Sequence, residues 1–241
     1  MAAVDTAPAS FLRRSFVYRT LQQLGARFGE VNGAAIALDF GDPAAELERG
    51  RRMGLADLSV LPRTGFKGNG TVEWLTSQGL SIGPDSNKAY VQAGGELALR
   101  LAPTEVLLVD SLAGTGALPC RLDEAWQWSQ EKPRRPIGYP MPRADSHFWF
   151  AVTGSQAPAM FAKICGVDLR PRAFGPGAIA QTSAAKMSVI IARHDLGSVP
   201  AFYLLADSAS AEYMWNCVVD AMDEFSGGPI GWTTLRVLAG I

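Results

Sequence analysis

The chain has 241 residues, of which 48% are hydrophobic and 19% charged, with a formal net charge of −1. That composition describes a folded chain able to bury roughly 70–75% of its unfolded surface, and it excludes a disordered one. A near-neutral charge offers nothing to a polyanion, so neither nucleic acid nor an acidic membrane surface is an expected partner.

Residues 1–10 are small and polar and are expected to form a flexible N-terminus, with residues 11–241 as a single domain. Scattered apolar residues from Phe11 to Phe28 predict a helix ending near Gly25, and Ala34 to Phe40 reads as a strand. Asp42 and Pro43 open a second helix, because Asp42 can accept from first-turn amides and proline lacks an N–H where none is needed. Arg49, Arg51 and Arg52 lie late in it, as the helix dipole prefers, and Gly54 is a stop signal. Strand-like residues at Ser59 to Leu61 and Thr64 to Lys67 are interrupted by Pro62, Gly65, Gly68 and Gly70. Thr71 to Gln78 predicts a short helix. Strands follow at Ala89 to Gln92, Glu96 to Leu101 and Glu105 to Val109, with Ala93-Gly94-Gly95 as a hairpin turn.

The middle of the chain differs in character. Asp123 to Gln130 reads as a short helix carrying Trp126 and Trp128, and Glu131 to Asp145, with four prolines, as an extended connector. His147 to Thr153 is a strand, and Ser155 caps a helix from Gln156 to Cys165 that Gly166 ends. A strand region from Gly177 to Arg193 precedes a strand at Ala201 to Ala206. Asp207 or Ser208 then caps a helix from Ala209 to Phe225, whose Ala211, Met214, Trp215, Val218, Val219, Met222 and Phe225 form one apolar stripe. The order predicts an α+β fold of two helix-covered sheet lobes, at about 34–112 and 146–226, joined by the connector at 131–145.

Chemistry-bearing motifs are few. There is no GxGxxG after a strand, no GxxxxGK[ST] and no GxSxG. Gly65, Gly68 and Gly70 could present amides to a phosphate, but turns are the commoner reason for such glycines. Asp145, His147, His194 and Asp195 could compose a metal site, yet no helical or ribbon spacing fixes them as ligands. Cys120, Cys165 and Cys217 are widely spaced and have no evident base, which argues against a disulfide framework, a zinc site or a nucleophile and fits a reducing, cytoplasmic compartment. No run approaches the ~20 apolar residues of a bilayer span, and Met1 to Ser10 lacks the apolar stretch of a secretion signal. The aromatic run His147-Phe148-Trp149-Phe150, with Trp126 and Trp128, is expected to bury one strand face. Its other face would be covered by the connector or by a partner chain. On these grounds no catalytic, cofactor-binding or metal-binding residue is assigned.

The stretch from Met53 to Leu75, MGLADLSVLPRTGFKGNGTVEWL, resembles the first block of the aminomethyltransferase family, which includes the T-protein of the glycine cleavage system and the folate domains of sarcosine and dimethylglycine oxidases. The matching residues are Gly54, Leu55, Asp57, Leu58, Ser59, Gly68, Trp74 and Leu75. Three later stretches, FAKICGVDLRPRAF, GAIAQTSAAKMSVIIAR and FYLLADSASAEYMWNCVVDAM, are similar to gamma subunits of heterotetrameric sarcosine oxidases. The chain departs from the folate-using members at two places. They carry Asp-Asp-Leu after a Gly-Gly turn, whereas here Gly94-Gly95 is followed by Glu96-Leu97-Ala98-Leu99. They also carry Gly-Tyr-Thr-Gly-Glu after an arginine, whereas here Arg193 is followed by His194-Asp195-Leu196-Gly197-Ser198. A pterin needs a carboxylate for its ring donors. The resemblance therefore implies a non-catalytic gamma subunit that stabilises the large alpha subunit beside beta and delta subunits. It implies FAD, FMN, NAD and tetrahydrofolate on those partners and none on this chain. The alternative is a stand-alone tetrahydrofolate-dependent aminomethyltransferase or methyltransferase.

Overall fold

A computed structural model describes residues 7–126 and 138–241. In chain order the strands and helices are β1 (Arg13–Arg14), α1 (Tyr18–Gln23), β2 (Arg27–Val31), β3 (Ala34–Asp39), α2 (Pro43–Arg52), β4 (Gly54–Asp57), β5 (Arg63–Lys67), α3 (Thr71–Ser77), β6 (Lys88–Val91), β7 (Leu97–Ala102), β8 (Glu105–Val109) and α4 (Ala117–Ala125). They continue with β9 (Tyr139–Pro140), β10 (His147–Thr153), α5 (Ala157–Ile164), β11 (Ile179–Ala184), β12 (Met187–Arg193), β13 (Ala201–Asp207), α6 (Ala211–Met222), β14 (Gly228–Pro229) and α7 (Trp232–Ala239). Residues 1–6 of the expected flexible N-terminus, Trp128, and residues 131–137 of the Pro-rich connector lie outside the described residues.

The strands form a six-stranded sheet in the order β11-β12-β13-β10-β4-β14, a five-stranded sheet in the order β6-β7-β8-β5-β9, and a small sheet β1-β3-β2. Alternation along β10 shows how the layers stack. Phe148, Phe150 and Val152 face a cluster with Met160 and Phe161 of α5 and Met214, Trp215 and Val218 of α6. Trp149 and Ala151 face the opposite way, into a cluster with Leu97 and Leu99 of β7 and Leu107 and Val109 of β8. The outer face of the five-stranded sheet, through Phe66, Ala98 and Leu108, packs under α3 and α4 with Leu75 and Leu122. The result is a helix–sheet–sheet–helix stack in which β10, buried on both faces from Phe148 to Thr153, reads as a continuous apolar run rather than an alternating one.

Several expectations from the sequence are corrected. The helix expected over Phe11 to Phe28 shrinks to α1, because Gly25 turns left-handed (φ 82°) and the chain enters β2. β2 and β3 form a hairpin through Asn32 and Gly33, both at positive φ (49° and 71°), the Asn-Gly turn whose twist suits paired strands. The helix expected from Asp123 begins six residues earlier, at Ala117. Gly54 starts β4 rather than ending a helix. Ser155 makes no capping bond to α5, and Gln156 occupies that cap position. The strand region at Gly177 to Arg193 is a hairpin turning at Ala185 and Lys186, also at positive φ (47° and 65°), a conformation those residue types do not advertise. The strand-like Ser59 to Leu61 is a turn.

The lobes expected at about 34–112 and 146–226 do not keep separate sheets. β4, from the first, is hydrogen-bonded between β10 and β14 of the six-stranded sheet. α7 was not expected at all. It opens at Gly231, where a Cβ would overlap the backbone of Leu38 and Asp39, and it is anchored by Glu46, whose Oε2 accepts from Gly231 N at 2.8 Å.

Candidate functional site

The Gly-Leu-Ala-Asp-Leu-Ser segment builds a buried polar knot. Asp57 ends β4, and its Oδ1 accepts from the Ser59 amide at 3.0 Å. The Ser59 hydroxyl in turn accepts from Trp149 N at 3.0 Å, tying the turn to β10. Arg63 follows, with Nη1 donating to the Ser59 and Leu61 carbonyls, both at 2.9 Å. Its Nη2 donates to the Ala144 and His147 carbonyls at 2.7 and 2.5 Å. Burial pushes the Asp57 carboxyl up and lowers the Arg63 guanidinium to about 10, the facing Asp57 charge opposing that fall. Both terminal nitrogens of Arg63 are spent on chain carbonyls, while its Nε is buried without a partner, so the segment is a staple between β4, β5 and the entry to β10.

The positions where a folate-using relative would carry carboxylates are built differently. Arg193 grips Asp195 in a two-bond fork, Nε to Oδ1 at 2.8 Å and Nη2 to Oδ2 at 2.9 Å. Its Nη1 donates to the Phe174 carbonyl at 2.5 Å, and Ala201 N approaches Asp195 Oδ1 at 3.3 Å. Both oxygens of Asp195 are thus engaged, and the carboxylate closes the loop between β12 and β13. At the other position, Glu96 follows the Gly94-Gly95 turn and lies opposite Asp110, one step beyond the Leu97–Val109 register pair. Between the sheets Leu97, Leu99, Leu107, Val109, Trp149 and Leu205 are at most 1% exposed. That layer is filled with apolar side chains.

The four candidate metal ligands are not brought together. His147 pairs with Asp207 at one end of the β10–β13 ladder, while Thr153 pairs with Ala201 at the other. His194 N bonds to the Ala201 carbonyl. Six residues of strand put the two histidines about 20 Å apart. His147 Nε2 lies 3.3 Å from Arg143 Nη1, a pure donor, so Nε2 accepts and Nδ1–H faces Ser146 Oγ at 2.9 Å. Burial, then the Arg143 and Arg63 charges, lower this imidazole to about 4, so the ring is neutral at pH 7. Among the described residues no group of three or more His, Cys, Asp or Glu is placed to hold a metal ion.

Of the glycine cluster, Gly65 lies within β5 and Gly68 and Gly70 form the turn after it. Gly68 and Gly70 have φ of 117° and 81°, and the Gly68 and Thr71 amides donate to the Thr104 and Gly68 carbonyls. Cys120 is exposed, Cys165 buried and Cys217 half-buried. Phe148, Trp149 and Phe150 are all 0% exposed. The aromatic run is therefore internal core rather than a surface for a partner, because the second sheet covers the face left open in the sequence reading. Missed there were Arg63, hidden within a strand, and Glu46, which besides Phe40 N holds Gly231 N at the far end of the chain.

This layered α+β architecture is the aminomethyltransferase fold. Glycine cleavage system aminomethyltransferase T from Bartonella henselae superposes with a TM-score of 0.70 at 19% identity, over 95% of this chain and 62% of that one. A chain of the heterotetrameric sarcosine oxidase from Corynebacterium sp. U-96, in complex with pyrrole 2-carboxylate, superposes with a TM-score of 0.60 at 22% identity, over 77% of this chain and 93% of that one. In sequence, the chain resembles sarcosine oxidase subunit gamma of Corynebacterium sp. (strain P-1), with 33% identity over 79 residues. That match spans 33% of this chain and 37% of the relative's length. No family model matches the chain.

Proposed function

We propose that this chain is a non-catalytic, gamma-type subunit of a heterotetrameric oxidase that oxidatively demethylates sarcosine or a related N-methyl amine. Its role is to stabilise the large alpha subunit, beside beta and delta subunits that complete the assembly. FAD, FMN, NAD and tetrahydrofolate reside on those partners, and the complex works in the cytoplasm. One observation carries the reading. Asp195, in the stretch after Arg193 where the resemblance would put a pterin carboxylate, is committed to the chain, with both oxygens accepting from Arg193 and one also from Ala201 N. A ring donor there would have to compete with that charge-assisted fork. The likeness to a gamma subunit supports the same view. No helix among the described residues is long and apolar enough to cross a membrane.

A second reading, a stand-alone tetrahydrofolate-dependent aminomethyltransferase or methyltransferase, draws on the fold shared with aminomethyltransferase T. Two measurements separate the two. The isolated chain is titrated with tetrahydrofolate, and it is co-expressed with the alpha, beta and delta subunits of a sarcosine oxidase. A gamma-type subunit gives no folate binding and co-purifies stoichiometrically, raising the yield of flavin-loaded alpha subunit. Saturable folate binding by the free chain, or failure to assemble, overturns the proposal.

A further inference from the structure

Glu96 and Asp110 form a buried pair of carboxylates that the rest of the chain leaves electrically incomplete. Leu97 pairs with Val109 in the antiparallel β7–β8 ladder, so Glu96 and Asp110, one step further, stand opposite each other. Residues opposite in such a ladder project to the same face with Cβ atoms ~5 Å apart. Glu96 is 7% exposed and Asp110 2%. Asp110 Oδ2 accepts from Gly116 N at 2.8 Å, at the start of α4, while its Oδ1 is buried without a partner. The Glu96 carboxylate folds back over Gly94, where a Cβ would stand 2.6 and 2.7 Å from its oxygens. The missing side chain makes the room. Burial pushes the Asp110 carboxyl up, and the Glu96 charge adds to the rise against the amides of Gly116 and Ser111.

Two buried, facing carboxylates with an orphaned oxygen call for positive charge. The cationic side chain that lines the cleft beside Glu96 does not supply it. Arg121 of α4 lines the same cleft as Glu96, is exposed, and makes no ion pair among the described residues. The cleft, about 300 Å³, opens between the Gly94 turn and α4, with Glu96 on its lining and the buried Asp110 off it, and can hold several waters. We infer that Glu96 and Asp110 form a binding site for one hydrated divalent cation of the magnesium class. Such an ion keeps most of its water and takes one or two carboxylates from the protein. The bound ion neutralises the pair and, through Asp110, steadies the start of α4.

The test uses the purified full chain, stripped with chelator and titrated with magnesium by calorimetry and with manganese by electron spin resonance, at low ionic strength and pH 7.5. One saturable site per chain is expected, and a hundredfold excess over Kd raises the melting temperature by about 5–10 °C. Glu96→Gln and Asp110→Asn each weaken binding at least tenfold, and asparagine still accepts from Gly116 N, so the fold is kept. Arg121→Gln removes a like charge at the rim and tightens binding severalfold, which a nonspecific surface site would not show. The inference is overturned if the wild-type chain shows no saturable site, or if Glu96→Gln binds as the wild type does. It is equally overturned if metal has no effect and stability instead falls as pH rises, which would put a shared proton between the carboxylates.

Discussion

Arg63 offers the most direct test of how this fold is held together. It is 3% exposed and donates to four backbone carbonyls, two in its own turn (Ser59, Leu61) and two, Ala144 and His147, more than 80 residues away. Replacing it with methionine keeps much of the volume and removes every donor. Each charge-assisted bond contributes about 1.5–3 kcal/mol net, and a carbonyl left dry costs about 1–3 kcal/mol. Against this stands the return of the guanidinium's desolvation cost, visible in its lowering to about 10, and water reaching the half-buried Ala144 end. The balance is about 3–5 kcal/mol of lost stability, the range seen when one member of a buried polar network is removed. For a chain of this size each kcal/mol shifts the melting temperature by about 2–4 °C, so Arg63→Met should melt about 10 °C below wild type. Arg63→Lys, which keeps the charge but cannot fork to both pairs of carbonyls, should lose about half as much. Thermal and urea unfolding of the three proteins measure this. A loss under about 1 kcal/mol for Arg63→Met would show that the four contacts do not bind the two segments together.

Other outcomes follow from the same geometry. His147 is depressed from 6.5 to about 4. Its contribution to stability is therefore whole above 6.5 and is lost as pH falls through 4. Discounted for the partly exposed ring, wild type should lose about 1–2 kcal/mol over that window relative to His147→Gln, and parallel urea-melt stabilities at pH 7 and 4.5 would contradict it. Glu46, 1% exposed, accepts from Phe40 N at 2.6 Å and Gly231 N at 2.8 Å. Glu46→Ala should cost about 2–4 kcal/mol, with amide exchange quickening first in α7. Asp207 Oδ1 accepts from Ala209 N, whereas Ser208 Oγ donates to the Asp145 carbonyl. Asp207→Ala should cost about 1 kcal/mol and Ser208→Ala less, and equal losses in thermal unfolding would show that both residues cap.

Local patterns in the sequence were enough for β3, the β6-β7-β8 run, β10, α2 with its Asp42 cap, α3 and most of the buried side of α6, because periodicity, caps and turn glycines act between near neighbours in the chain. Val219 of the expected stripe, however, is exposed and Phe225 lies beyond the helix. The local code itself was passed over at Asn32-Gly33, and at Ala185-Lys186 there was no code to read. Only the tertiary structure decided that β4 lies between β10 and β14, that Trp149 is sealed by a second sheet rather than left for another chain, and that Asp195 is spent on Arg193. It also set Glu96 against Asp110 and placed four distant carbonyls around Arg63. Such pairings join residues as far apart in the chain as Gly54 and Gly228. They are selected by the burial and hydrogen bonding of the assembled layers, which no window of neighbouring residues contains.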